Sequence, residues 1–206
     1  MIKGLIVVTL RPNQKLDSRV IHSLEDLQEK TPGCWPFYFA TDSPYGYPID
    51  LIIKRKNLAS ALNKAREVFL DDDFSYFVHI ESDTTVPFFA IVEMLEANSP
   101  IAVGLQRLKY PPYNLSCHKQ DPAKDYISLI QLDEDDLSQR FLPVDWYSLG
   151  CILIKREVLE EVEFKPGIGY GVDWMFAEDC RKKGFKCILC TRVKCGHIKD
   201  GKIIEV

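Results

Sequence analysis

Two carboxylates one residue apart are the strongest chemical signal in this chain. Glu81-Ser82-Asp83 follows directly on the apolar run Tyr76-Phe77-Val78-His79-Ile80. A buried strand ending in an acid-x-acid step delivers charge at the carboxyl edge of a sheet, where open α/β sheets bind ligands. Two carboxylates there suit a hard divalent cation carrying a diphosphate. A strand followed by a solvated turn accounts for the same residues, since Asp and Ser favour turns. Other clusters carry less. Cys187 and Cys190, with Cys195 and His197, have the residue types of a zinc site. Residues 185–190 read as a strand, however, and positions i and i+3 of a strand face opposite sides. The triplet Asp71-Asp72-Asp73 reads as a solvated turn, because consecutive carboxylates diverge. The run Asp133-Glu134-Asp135-Asp136 reads most simply as a solvated loop.

The elements around the acid-x-acid step alternate. Residues 3–9 form a short apolar run that suits a buried strand. Leu16, Val20, Leu24 and Leu27 then give one apolar stripe, predicting a helix over 15–29 that Thr31-Pro32-Gly33 ends. Strands are expected at 37–40 and 49–53. The clearest helix follows, with Leu58, Ala61, Leu62, Ala65, Val68 and Phe69 at helical spacing. Next come a strand at 76–80, a helix at 87–97 and a strand at 101–104. This alternation predicts a parallel α/β sheet in the N-terminal half. The second half changes character: 108–125 is irregular, and 126–132 and 144–154 read as strands. Residues 156–162 suggest a short helix and 172–183 a last one, followed by strands around Phe185 and Val193.

Composition narrows the class. A chain of 206 residues with 46% hydrophobic and 27% charged residues is expected to fold as one globular domain. Its net charge is −4, and its basic clusters, Lys54-Arg55-Lys56 and Arg181-Lys182-Lys183, are short and sit beside element ends. Nucleic acid is therefore not an expected partner. No apolar stretch reaches the length of a membrane span. The opening Met1-Ile2-Lys3-Gly4 leads straight into a strand, so no signal peptide is read. The expectation is a cytoplasmic protein, with peripheral membrane contact left open. Seven cysteines, an odd number, then favour reduced thiols.

In order along the chain, these pieces resemble the nucleotide-diphospho-sugar glycosyltransferases of the GT-A fold, the family-2-like group. Asn57-Leu58-Ala59-Ser60-Ala61-Leu62-Asn63 is similar to the small-residue helix before the metal motif, and Glu81-Ser82-Asp83 occupies the Asp-x-Asp position. Ile101-Ala102-Val103-Gly104, then Lys109-Tyr110-Pro111-Pro112, resemble the strand and loop that follow. The segment 149–158, beginning Leu149-Gly150-Cys151, resembles the family's Gly-Cys-x-Leu-Ile-x-Arg stretch. Residues 191–197, ending Cys195-Gly196-His197, resemble its closing metal-histidine strand. The resemblance implies a Rossmann-like, mostly parallel sheet flanked by helices, with a smaller mixed or antiparallel sheet on the acceptor side. It implies a nucleotide-sugar-binding half over 1–107 and an acceptor and catalytic half over 108–206.

The activity implied is transfer of a sugar from a nucleotide-diphosphate donor to a hydroxyl of a glycan, lipid or protein acceptor, with inversion. Asp83 and His197 would hold Mn²⁺ or Mg²⁺, with Ser82 beside them. Glu81 stands where the family has Asp; one methylene longer, it would meet the ribose or a metal-bound water. Thr9 and Arg11 after the first strand, and Asp42 after the second, would contact the base. Arg55, Asn57 and Asn63 are candidates near the ribose or pyrophosphate. Trp146 and Tyr147 would line the sugar or acceptor pocket, or simply the core. Gly167-Ile168-Gly169-Tyr170-Gly171 has the glycines of a lid, or of a plain turn.

The family opens its last helix with a Glu-Asp pair whose Asp is the base. Here Asp173 has the family's spacing to Gly184, although Val172 replaces the Glu. Asp173, Phe176, Ala177 and Cys180 also share one helix face, and Glu178 and Asp179 lie roughly 120–140° off it. Asp173 is therefore the expected general base, against a helix N-terminal carboxylate serving the dipole. Two other functions compete: a sugar-phosphate nucleotidyltransferase, and a non-catalytic carbohydrate- or partner-binding protein. The first expects a glycine-rich loop after strand one, where Thr9-Leu10-Arg11-Pro12-Asn13 has none. The second would explain Glu81 and Val172.

Overall fold

The computed structural model describes residues 2–10, 15–40, 58–121, 123, 129–166 and 171–206. Its strands are β1 (Gly4–Thr9), β2 (Phe37–Ala40), β3 (Tyr76–Glu81), β4 (Thr84–Thr85), β5 (Ile101–Leu105), β6 (His118–Gln120), β7 (Leu129–Gln131), β8 (Phe141–Val144), β9 (Cys151–Lys155), β10 (Cys187–Lys194), β11 (Gly196–Lys199) and β12 (Lys202–Ile204). Its helices are α1 (Ser18–Lys30), α2 (Leu58–Asp71), α3 (Ala90–Glu96), α4 (Glu134–Ser138), α5 (Arg156–Glu161) and α6 (Val172–Lys182).

Seven strands form the central sheet in the order β2-β1-β3-β9-β5-β10-β8. β2, β1 and β3 pair in parallel, as do β5 and β10. β9 lies antiparallel between β3 and β5, so those two run the same way. β8 is antiparallel on the β10 edge. Five of the seven strands thus point in one direction, and their carboxyl ends share one edge. Two smaller antiparallel sheets complete the fold: β12-β11-β4 and β6-β7.

Both faces of the main sheet are covered, and the sequence of β1 states why. Leu5 and Val7 belong to one apolar cluster, with Ala61, Leu62 and Phe69 of α2 and Phe176 of α6. Ile6 and Val8 belong to another, with Val20, Leu24 and Leu27 of α1 and Ile91 and Met94 of α3. A strand buried on both sides must be apolar throughout. Cys187 and Cys190 fall in opposite clusters, and all seven cysteines are free.

Several expected elements shift. α1 starts at Ser18 because Asp17 caps it, accepting from the Arg19 backbone N–H. α3 starts at Ala90, whose N–H bonds the Pro87 carbonyl. Residues 144–154 are not one strand. β8 ends at Val144 and β9 begins at Cys151, and between them Asp145 and Trp146 donate to the His118 carbonyl. The acidic run is not a loop but the start of α4, closed by a capping box between Asp133 and Asp136. The strands expected around Phe185 and Val193 are one, β10, irregular in register between Cys190 and Lys194. The expected strand at 49–53 lies outside the described residues, and of 126–132 the described part holds β7.

Candidate metal centre at the carboxyl edge

Glu81 closes β3, and a two-residue turn carries the chain through Ser82 and Asp83 into β4. β4 pairs with β11 so that Thr84 faces His197 and Thr85 faces Gly196. The Ile198 N–H bonds the Asp83 carbonyl at 2.7 Å. This small sheet is what brings His197, 114 positions along the chain, to the acid-x-acid turn. Gly196 is required there, because a Cβ on it would fall 2.5 Å from Thr85 Oγ1 and 2.7 Å from Ile203. Gly150 packs closely beneath the turn. Its carbonyl accepts from the Glu81 N–H, and a Cβ would fall 1.9 Å from Gln106 Oε1. The buried Gln106 in turn donates to the Thr84 hydroxyl at 2.9 Å.

Ligand atoms of Glu81, Asp83 and His197 lie within 4.8 Å of one another. The His197 Nδ1–H donates to the Arg107 carbonyl at 2.9 Å, so Nε2 presents its lone pair to the cluster when the ring is neutral. Nε2 is buried without a hydrogen-bond partner and stands 3.6 Å from Asp83 Oδ1. Facing a carboxylate, this nitrogen is accommodated either by a proton, as an imidazolium paired with Asp83, or by a cation held between the two. Two carboxylates and an oriented imidazole therefore fit a divalent cation. Lys109 reaches the same carboxylate, with Nζ 2.6 Å from Asp83 Oδ2.

Electrostatics separate the two acids. Burial pushes the Glu81 carboxyl above its ordinary value, and the Asp83 and Asp173 charges push it further, against Lys109 and His197. Burial would push Asp83 up as well. A hydrogen bond and positive charge from the protonated form of His197, together with the Lys109 ammonium, outweigh it and hold that carboxyl well below the usual carboxylate range.

Thr9 is in register with Glu81 at the same edge. It is 3% exposed, and its hydroxyl meets His79 Nε2 at 3.0 Å. His79 is buried too, and its Nδ1–H donates to the Leu149 carbonyl at 2.6 Å. Ser82 is buried in the turn. Arg11, Asp42, Arg55, Asn57 and residues 167–170 lie outside the described residues. Asn63 is spent on the backbone: Nδ2 donates to the Phe164 carbonyl and Oδ1 accepts from the Phe164 N–H. Trp146 and Tyr147 are core residues, 2% and 5% exposed, and Trp146 stacks on Trp174 with centroids 3.9 Å apart.

Asp173 occupies the first turn of α6, and its Oδ1 accepts from the Trp174 N–H at 2.9 Å. Phe176, Ala177 and Cys180 of its face are buried. Glu178 pairs instead with Arg181 and Lys182, at 3.0 and 3.1 Å, and Asp179 pairs with Lys165 at 2.8 Å. Lys109, the Arg107 carbonyl and His79 escaped sequence reading. Their partners are 26, 90 and 70 residues away, and no local pattern encodes such contacts.

No protein-family model matches this chain, and no curated protein matches it in sequence. Solved structures do. A197 from STIV superposes with a TM-score of 0.64 at 16% identity, over 99% of this chain and 90% of that one. GalNAc-T7 with UDP, GalNAc and Mn²⁺ gives 0.66 at 11% identity, over 97% of this chain but 44% of that one. A CMP:2-keto-3-deoxy-manno-octonic acid synthetase complexed with CTP gives 0.57 at 14% identity, over 91% and 88%. Identities this low speak for fold alone, and the fold of this chain is GT-A-like.

Proposed function

We propose that this chain is a glycosyltransferase that moves a sugar from a nucleotide-diphosphate donor to an acceptor hydroxyl with inversion. The observation that carries it is the convergence of Glu81, Asp83 and the unpartnered His197 Nε2 at the ligand edge of a GT-A-like sheet. Asp83 and His197 would hold Mn²⁺ or Mg²⁺, the ion bound in the GalNAc-T7 structure being Mn²⁺. Once bound, such an ion supplies Lewis-acid stabilisation of charge on a leaving diphosphate. The protein's own groups do the rest. Arg107 fixes the tautomer of His197. Asp173, whose charge reaches Glu81, takes the proton from the acceptor hydroxyl as it attacks the anomeric carbon. Thr9, Arg11, Asp42, Asn57, Glu81 and Ser82 are proposed for the nucleotide and ribose.

A second reading, nucleotidyl transfer to a sugar acid, draws support from the synthetase likeness over nearly all of both chains. Incubating the protein with Mn²⁺ and a panel of nucleotide sugars and nucleoside triphosphates separates the two. Release of a nucleoside diphosphate, abolished in Asp83→Ala, is expected. Pyrophosphate release from a triphosphate would select the second reading, and no turnover of either kind would leave a binding protein.

A further inference from the structure

We infer that Lys109 is a resident counterion of the metal centre, one that a divalent cation must displace and that then serves the anionic ligand. The inference rests on the cation reading above. Lys109 Nζ lies 2.6 Å from Asp83 Oδ2, and Asp83 Oδ1 faces the unpartnered His197 Nε2 at 3.6 Å. The two oxygens of one carboxylate thus face an ammonium in one case and an unpartnered imidazole nitrogen in the other. Side-chain exposure is 21% for Lys109 and 18% for Asp83, so water screens this pair only partly.

The backbone beneath Lys109 is braced. Leu108 N–H bonds the Asn114 carbonyl at 2.8 Å, Ser116 N–H bonds the Gln106 carbonyl at 2.9 Å, and Arg107 Nη1 bonds the Tyr113 carbonyl at 2.9 Å. Arg107, two residues back, holds His197 through its own carbonyl. The loop that orients the imidazole therefore also sets the ammonium on the carboxylate. A divalent ion held by Asp83 and His197 would stand within a few ångströms of that ammonium. Like charges at such range in a half-buried site repel strongly. The lysine stem is long and its head rotates freely, so the ammonium can leave while the loop stays. Its nearest new partner is the phosphate brought in with the ion.

Two consequences follow from this exchange. The ion alone binds weakly, because it must evict Lys109. Ion and nucleotide bind cooperatively, because the nucleotide gives the evicted ammonium a partner, and such coupling is reciprocal. Titrations of Mn²⁺, alone and with UDP, into the wild type, Lys109→Met, Lys109→Arg and Asp83→Asn test it, with free Mn²⁺ read by electron paramagnetic resonance. Lys109→Met should bind Mn²⁺ alone on the order of tenfold more tightly than the wild type. It should also lose most of the gain that UDP confers. Lys109→Arg should behave as the wild type, and Asp83→Asn should bind neither. Unchanged or weaker Mn²⁺ affinity in Lys109→Met, with normal binding in the wild type, would overturn the exchange and leave the cation centre standing. Silence in both would overturn the centre and the exchange together.

Discussion

At the residue scale, the two acids of the turn should answer pH and mutation in opposite ways. Glu81 is the one whose carboxyl is pushed up, by burial first and by Asp83 next. A carboxyl whose folded pKa is raised holds its proton in the native state at pH values where the unfolded chain has lost it. Native protein then binds more protons than unfolded protein, so stability falls as pH rises through that window. Glu81→Gln removes the cost. It should raise Tm at pH 7 relative to the wild type, with little difference at pH 4. The same change should weaken Mn²⁺ binding, since the cluster loses a ligand charge. Calorimetric melts at the two pH values check the pair of effects. An equal Tm in both proteins at pH 7 would show that Glu81 carries no such penalty.

Asp173 poses the other residue-scale question. Glu178 and Asp179 are engaged with Arg181, Lys182 and Lys165, and Asp173 is the acid of α6 whose charge raises the Glu81 carboxyl. Asp173→Asn should retain the fold and donor affinity and lose transfer by ~10² or more, the usual contribution of a positioned base. The double variant Glu178→Gln with Asp179→Asn should turn over nearly as the wild type does. Steady-state transfer assays decide, and a dead double variant beside an active Asp173→Asn would move the base to the other face.

At the scale of elements, α2 ends without a basic residue in its last turn, yet two of its last carbonyls find a cation from elsewhere in the fold. Arg156, the first residue of α5, donates from Nη2 to the Phe69 carbonyl at 2.9 Å and from Nη1 to the Leu70 carbonyl at 3.3 Å. It also reaches the carbonyls of Asp72 and Phe74. Its guanidinium lies 4.9 Å from the Phe69 ring centroid. This fork closes one helix with a residue from another, at the helix end where a cation is favourable. An ammonium cannot reproduce the fork. Arg156→Lys should therefore cost about 2 kcal/mol and Arg156→Ala somewhat more, by denaturant melts. Full rescue by lysine would reduce the residue to a simple charge.

Legibility of these elements followed their physics. α2 was legible because apolar residues repeat at helical spacing, and Ala61, Leu62, Ala65 and Phe69 among them are buried. β1 and β3 were legible because both faces are buried. The direction of β9 was not, since an apolar run such as Cys151-Ile152-Leu153-Ile154 reads the same in either orientation. The stretch 144–154 misled because Trp146, Tyr147 and Leu149 are buried in an irregular connection, and burial alone looks like strand. α4 could have been read, because Asp133 with Asp136 three residues on has the form of a capping box. Of the candidate site, the acid-x-acid turn was local and visible. Its pairing with His197 came through family likeness, and Lys109 came only through the fold.

At the scale of the whole molecule, we propose that the two halves read from the sequence, 1–107 and 108–206, are one cooperative body. β3 and β5 belong to the first half, yet neither touches the other in the sheet, because β9 of the second half runs between them. Residues 1–107 alone would leave both strands with an open edge and strip the partners of Phe77, Val78, Ile101 and Val103. The candidate metal site is divided likewise, with Glu81 and Asp83 from one half and Lys109 and His197 from the other. Unfolding should then show one transition, coincident by far-UV and near-UV circular dichroism, as expected of a two-state domain. Mn²⁺ with UDP should move that whole transition upward, by an amount set by ligand concentration over Kd. The fragment 1–107, produced separately, should lack dispersed amide resonances. Two separated transitions, or a folded fragment, would mean that β9 docks onto a pre-formed half. The ligand would then be expected to raise only the later transition.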